Sequence, residues 1–154
     1  MQSFTVMEWT NDDYRISTDK HRIDLAYVHA FLTHSYWAQH IPLDVVRRSI
    51  EGSLCFAVFN QEEQIGFARV ITDEATFAYL ADVFIDERYR GRGLSKWLME
   101  TIMQHPSLQG LRRFLLATRD AHGLYRQFGF TPLTFTDRWM QIHQPDIYQE
   151  RKEN

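Results

Sequence analysis

Cysteine is nearly absent from this chain: there is one, Cys55, in 154 residues. A single thiol cannot close an internal disulfide, so cross-links are excluded as a source of stability. Four prolines and seven glycines supply no Pro/Gly-rich linker, and no internal repeat or low-complexity tract divides the chain. Long hydrophobic runs are missing too. The longest clean one, Leu54 to Phe59, falls far short of the twenty or so residues that a membrane-spanning helix needs. The first residues show no basic-then-apolar leader pattern ahead of a small-residue cleavage site. Together these absences predict one domain over residues 1–154, with no membrane partner and a reducing cytoplasm as its compartment. An excess of positive charge is also lacking. A net charge of -3 argues against nucleic-acid binding, which leaves a basic footprint over much of one face.

What is present is a globular composition, 44% hydrophobic and 14% aromatic with 24% charged residues, enough to bury a core. Phe4, Val6, Tyr14 and Ile16 suggest one or two short strands. Leu25, Val28, Leu32 and Tyr36 recur at spacings of three and four, which predicts a helix opened by Asp24. A short helix from Leu43 to Ile50 follows. Two apolar runs, Leu54 to Phe59 and Ile65 to Ile71, read as an antiparallel hairpin, and Phe77 to Ile85 as a strand buried on both faces. Cys55 then becomes a small core hydrophobe. Leu94, Trp97, Leu98, Thr101 and Ile102 form a helical stripe that stops at His105, before Pro106. A strand from Phe114 to Ala117, a short helix with Asp120 as N-cap, and closing strands near Phe130 to Phe135 and Trp139 to Ile142 complete a mixed α/β order.

The stretch R-Y-R-G-R-G-L-S-K-W, residues 88 to 97, sits at the seam between the third strand of that series and the helical stripe. It holds Arg88, Arg90, Arg92 and Lys96, where an even spread of the 17 Lys and Arg would put about one. A helix N-terminus offers unpaired N–H groups and the positive end of the helix dipole. Gly91 and Gly93 let an anion approach the backbone closely, and the arginines add charged donors. The physical reading is a cradle for a pyrophosphate. The letters match neither the dinucleotide fingerprint, whose third glycine is replaced by Lys96, nor a P-loop, whose spacing and G-K-[ST] ending are missing.

R-G-R-G-L-S resembles the acyl-CoA signature of the GCN5-related N-acetyltransferase (GNAT) family, [QR]-x-x-G-x-[GA], with Ser95 in place of the last glycine or alanine. Some thirty residues on, L-Y-R-Q-F-G-F, Leu124 to Phe130, resembles the family's L-Y-x-x-x-G-F. The resemblance runs from about residue 54 to 135. It implies a mixed sheet with splayed central strands and flanking helices. It also implies acetyl-CoA as co-substrate, its diphosphate on Arg90, Gly91, Arg92, Gly93, Leu94 and Ser95 and its pantetheine along Val83, Phe84 and Ile85. Thr118 falls where many relatives carry an asparagine that touches pantetheine.

The implied reaction is direct acetyl transfer to a primary amine, on a small molecule, a lysine or a protein N-terminus. Tyr125 takes the position of the family's general acid. A phenol of reference pKa about 10 and a thiol of about 8.5 are close enough for proton transfer in a positioned pair. Leu80-Ala81-Asp82 resembles the L-E-D of polyamine-acetylating relatives, with Ala81 where their glutamate stands. Asp82 is therefore the first candidate to orient or deprotonate the amine, with Asp73 and Glu74 as further carboxylates. Tyr36 and Trp37 lie in the region that walls the acceptor pocket of such enzymes, and His122 lies one turn before Tyr125. The seven histidines form no metal motif, so no metal is expected. A non-catalytic acyl-CoA sensor is the alternative, kept open by Ala81. The oligomeric state is open, a homodimer included.

Overall fold

The computed structural model describes residues 4–151. Its sheet has six strands in chain order: β1 (Glu8–Asn11), β2 (Tyr14–Ser17), β3 (Leu54–Asn60), β4 (Glu63–Thr72), β5 (Phe77–Ile85) and β6 (Arg113–Leu116). Pairing is antiparallel from β1 through β5, and β6 joins β5 in parallel. The crossover between those two strands is the helix α3 (Leu94–Gln104), as a parallel pair requires. Helices α1 (Leu25–Leu32) and α2 (Leu43–Glu51) precede β3, α4 (His122–Arg126) follows β6, and α5 (Ile147–Arg151) comes last. No helix among the described residues is long and apolar enough to cross a membrane.

Alternation along β3 explains why the sheet is covered on both faces. Leu54, Phe56 and Val58 point to one side, where Leu94, Leu98, Met99 and Ile102 of α3 pack with Tyr125. Cys55 points to the other, where it meets Phe67, Phe84 and the α1–α2 residues Val28, Leu32, Val46 and Ile50. Cys55 is fully buried, and that burial pushes its thiol up to about 12. It is a core hydrophobe.

Four local readings change. Phe4 and Val6 lie ahead of β1 and in no strand. The helix that begins at Asp24, whose carboxylate accepts the Tyr27 N–H at 3.1 Å, stops at Leu32 and not at Tyr36. Beyond it Ser35 turns the chain: its hydroxyl donates to the Leu32 carbonyl at 2.7 Å and accepts from the Ala38 N–H at 3.1 Å. Asp120 does not cap α4. Ala121 holds that position, and its N–H is taken by the Thr118 hydroxyl at 3.1 Å. The closing strands near residues 130–135 and 139–142 do not form. Phe135 takes a left-handed φ of 53° and leads into a short 3-10 turn, Thr136–Arg138, after which the Trp139 ring lies under the Arg113 guanidinium at 4.8 Å. β6 is left as the sheet edge, and Met140 and Ile142 are almost fully exposed.

Candidate active site

Two strands separate where the chemistry was expected. The β5–β6 ladder runs from Phe77 opposite Arg113 to Leu80 opposite Leu116 and stops. β5 continues to Ile85, so among the described residues its second half, Ala81 to Ile85, has a strand partner on the β4 side alone. Backbone groups facing the opened side can then serve an extended ligand.

A bulge starts this segment. Arg69 of β4 pairs with Ala81 and Phe67 with Phe84, so Asp82 and Val83 together oppose the single residue Ala68. Asp82 takes a positive φ of 55°, a conformation aspartate tolerates better than most residues. Gly66 lets the strands meet beside the bulge. A Cβ there would stand 2.7 Å from Ile85 Cδ1 and 3.0 Å from the Phe84 carbonyl oxygen. Phe84 and Ile85 bury their side chains on opposite faces, the first against α1 and α2 and the second in the α3 core. Their backbone is thereby fixed in place.

From Ile85 the chain passes through a 3-10 turn, Glu87–Tyr89, to the glycine loop and the start of α3. Gly91 and Gly93 have φ of 80° and 78°, and a Cβ at either would meet nothing within 4 Å. The backbone conformation demands glycine, and the space in front of it is open. Gly93 is itself the N-cap of α3 and supplies no side-chain cap, so the first amides of the helix, from Leu94 and Ser95 on, keep their donors for an anion. The arginines divide by task. Arg88 pairs with Asp86 and Glu63, and Arg92 donates to the Tyr14 phenol at 2.9 Å while lying over the Tyr89 ring. Arg90 donates to the Ile85 carbonyl at 3.3 Å and so ties the loop to the end of β5. Lys96 is exposed on the first turn of α3.

Tyr125, on α4, is buried in the α3-side core with Phe130 against its ring. Burial raises the pKa of its phenol, and Tyr36 and Asp120 raise it further. It is therefore protonated at neutral pH, as a proton donor must be. A cavity of about 590 Å³ along the outer side of β6 is lined in part by Thr118, His122 and Tyr125. No residue of β5 or of the glycine loop lines it.

On the far side of the bulge Asp82 is engaged at both oxygens. Oδ2 accepts from Arg69 Nε at 2.9 Å and Oδ1 from Trp37 Nε1 at 2.8 Å. Tyr36, next in the chain, reaches across to the segment after β6. Its phenol accepts the Arg119 N–H at 3.3 Å, and its ring lies 3.8 Å from the Arg119 guanidinium. Tyr36, Trp37, Asp82 and Thr118, far apart in sequence, are thus brought to one end of the β5–β6 opening. Asp73 and Glu74 are not. Asp73 caps the β4–β5 turn, accepting from Thr76, Ala75 and Phe77, and those bonds, the Thr76 ones first, hold its carboxyl well below the usual range. It lies at the opposite end of β5 from Asp82. Sequence reasoning missed Arg69 and Arg119. Arg69 had a signal, a single charge inside the apolar run Ile65 to Ile71; Arg119 had none.

Among the described residues no group of three His, Cys, Asp or Glu is placed to hold a metal ion. The sequence profile of the acetyltransferase (GNAT) family matches residues 5–130. The crystal structure of a candidate GNAT acetyltransferase from Xanthomonas campestris pv. campestris superposes with a TM-score of 0.86 at 51% identity, covering 88% of this chain and 96% of that one. The candidate acetyltransferase FG08082 of Gibberella zeae is 31% identical over 76% of this chain and 78% of its own. A GNAT acetyltransferase from Elizabethkingia anophelis, solved with acetyl-CoA bound, shares the fold at a TM-score of 0.59 and 13% identity, covering 87% of this chain and 90% of that one. The splayed β5–β6 pair, the uncapped glycine-led helix and these likenesses agree, and the chain belongs to the GNAT acetyltransferase family.

Proposed function

We propose that this chain transfers acetyl from acetyl-CoA directly to a primary amine in the β5–β6 opening, with Tyr125 protonating the departing thiolate. The observation that carries the reading is the β5–β6 separation beyond Leu80 and Leu116, which ends at the open, glycine-capped start of α3. The amides of Arg92 to Ser95 hold the diphosphate, with the helix dipole behind them and Arg90 fixing the loop. Val83, Phe84 and Ile85 offer main-chain groups to pantetheine, and the Thr118 hydroxyl, which already accepts from Ala121, has its proton left to donate.

Attack by a neutral amine on the thioester carbonyl makes an oxyanion, and in this reading backbone N–H groups of the bulged strand near Val83 stabilise it. Collapse expels the CoA thiolate. Tyr125, kept protonated by its burial, gives its proton to that thiolate, while the nitrogen, made cationic by the attack, releases its proton to water, from which Tyr125 is reprotonated. The acceptor enters past Tyr36 and Trp37, both about half exposed. A sensor that binds acetyl-CoA without turnover has no need of a phenol kept protonated at the motif position, which favours the enzyme. An amine panel spanning polyamines, aryl-alkyl amines, amino sugars, and lysine and N-terminal peptides, read by CoA release, tests the proposal. Release above the hydrolysis background with at least one primary amine is expected; release with none, alongside normal acetyl-CoA binding, would leave the sensor reading.

A further inference from the structure

Arg69 is the only charged side chain in the apolar run Ile65 to Ile71, and it sits where β4 meets the bulge of β5. Its Nη1 donates to Ser53 Oγ at 3.1 Å while its Nε holds Asp82. The ion pair is sheltered, with 16% of the Arg69 side chain and 9% of the Asp82 side chain exposed. The remaining Asp82 oxygen is occupied by the Trp37 indole N–H. A carboxylate held this way balances the Arg69 guanidinium and has both oxygens occupied. The arrangement suits holding something still.

What it holds is the loop after α1. Trp37 lies outside any helix or strand, and its ring packs edge-on against Tyr36, with centroids 5.1 Å apart and an interplanar angle of 82°. Phe31 of α1 lies behind Trp37. Tyr36 in turn meets Arg119 beyond β6. A continuous chain of contacts therefore runs Ser53, Arg69, Asp82, Trp37, Tyr36, Arg119, from the sheet to the far side of the opening.

We infer that Arg69 and Asp82 are positioning residues. They fix Trp37, and through it Tyr36, as the aromatic wall against which the acceptor amine is presented, and Asp82 is not the base. The inference rests on the acetyl-transfer reading above and adds to it how the acceptor is placed.

The first test uses no substrate. In a 15N-labelled sample the Trp37 indole N–H, assigned by the peak missing in Trp37→Phe, exchanges slowly with solvent, and in Arg69→Met it exchanges about tenfold or more faster, since Asp82, without its Arg69 partner, no longer holds the indole in place. An indole already unprotected in the wild type overturns the relay, whatever the enzyme does. The second test uses whichever amine the panel identifies. Trp37→Phe changes a half-exposed ring and leaves the ion pair alone. It raises the acceptor KM about tenfold with acetyl-CoA KM nearly unchanged, and Trp37→Phe/Arg69→Met is no worse than the worse single variant, because both act on one contact chain. Asp82→Asn, which keeps an oxygen for the indole, leaves the pH dependence of kcat where it was. A lost kcat that recovers at high pH in Asp82→Asn, or fully additive losses in the double variant, would overturn the proposal. If no amine is ever acetylated, the exchange result still stands or falls alone.

Discussion

Gly93→Ala isolates the contribution of the glycine loop. At φ 78° the residue is left-handed, and an added Cβ would meet nothing within 4 Å, so the substitution costs conformation and no steric clash. That conformational cost is about 1–2 kcal/mol for an L-residue, which in a chain of this size lowers Tm by about 2–8 °C. The wild type should show the opposite response to ligand. At acetyl-CoA a hundredfold above its Kd, mass action contributes about 2.7 kcal/mol, a rise of about 5–11 °C. In the variant the methyl group stands in the space the diphosphate would enter. Any relaxation of φ also turns the Leu94 and Ser95 amides off their common direction, and the rise should vanish. Scanning calorimetry of both proteins with and without acetyl-CoA separates the two effects. An alanine variant with the predicted apo loss and an undiminished ligand-induced rise would refute the cradle.

Tyr125→Phe should keep the acetyl-CoA-induced Tm rise and lower kcat on the order of 100-fold, the usual cost of removing one proton donor; steady-state kinetics with the panel-selected amine check this, and an unchanged kcat would make Tyr125 a core aromatic only. His105, 2% exposed between the rings of Trp9 and Phe56, has its pKa lowered by burial, so the unfolded chain binds the proton more readily than the folded one. Its neutral form is compatible with the full stability above the unfolded value of about 6.5, and stability falls as pH drops below that. Its Nδ1 accepts the Ser107 N–H at 3.1 Å, a bond an asparagine can imitate. His105→Asn should therefore differ from wild type by a constant Tm above pH 7 and by a shrinking one toward pH 5, and a difference independent of pH would contradict the assignment.

The parts of the fold carried by local periodicity were legible in the sequence. The α3 stripe from Leu94 to Ile102 ends at His105 as its spacing implied, and the β3–β4 hairpin forms where its two apolar runs lie, with β4 reaching back to Glu63. The glycines of the loop were legible too, because a left-handed backbone leaves few residue types to choose from. The C-terminal strands were not. Phe135 and Ile142 carry strand-forming side chains, yet a strand exists only if a partner edge is offered in register. Here a left-handed Phe135 turns the chain, and Trp139 stacks on Arg113 without joining β6. The partners of Asp82 were hidden for the same reason: Arg69 and Trp37 stand 13 and 45 residues away, and only the folded sheet and the turn at Ser35 bring them together. Asp82 could be named as a candidate from its motif, but its occupied oxygens could not.

Initial rates measured with acetyl-CoA and the acceptor amine varied together test direct transfer most directly. Attack on the bound thioester inside the β5–β6 opening requires both substrates at once, so double-reciprocal plots should intersect, and acetyl-CoA alone should leave the protein unacetylated by mass spectrometry. Parallel lines, or an acetylated protein that passes its acetyl group to the amine after acetyl-CoA has been removed, would mean a covalent intermediate and contradict the account.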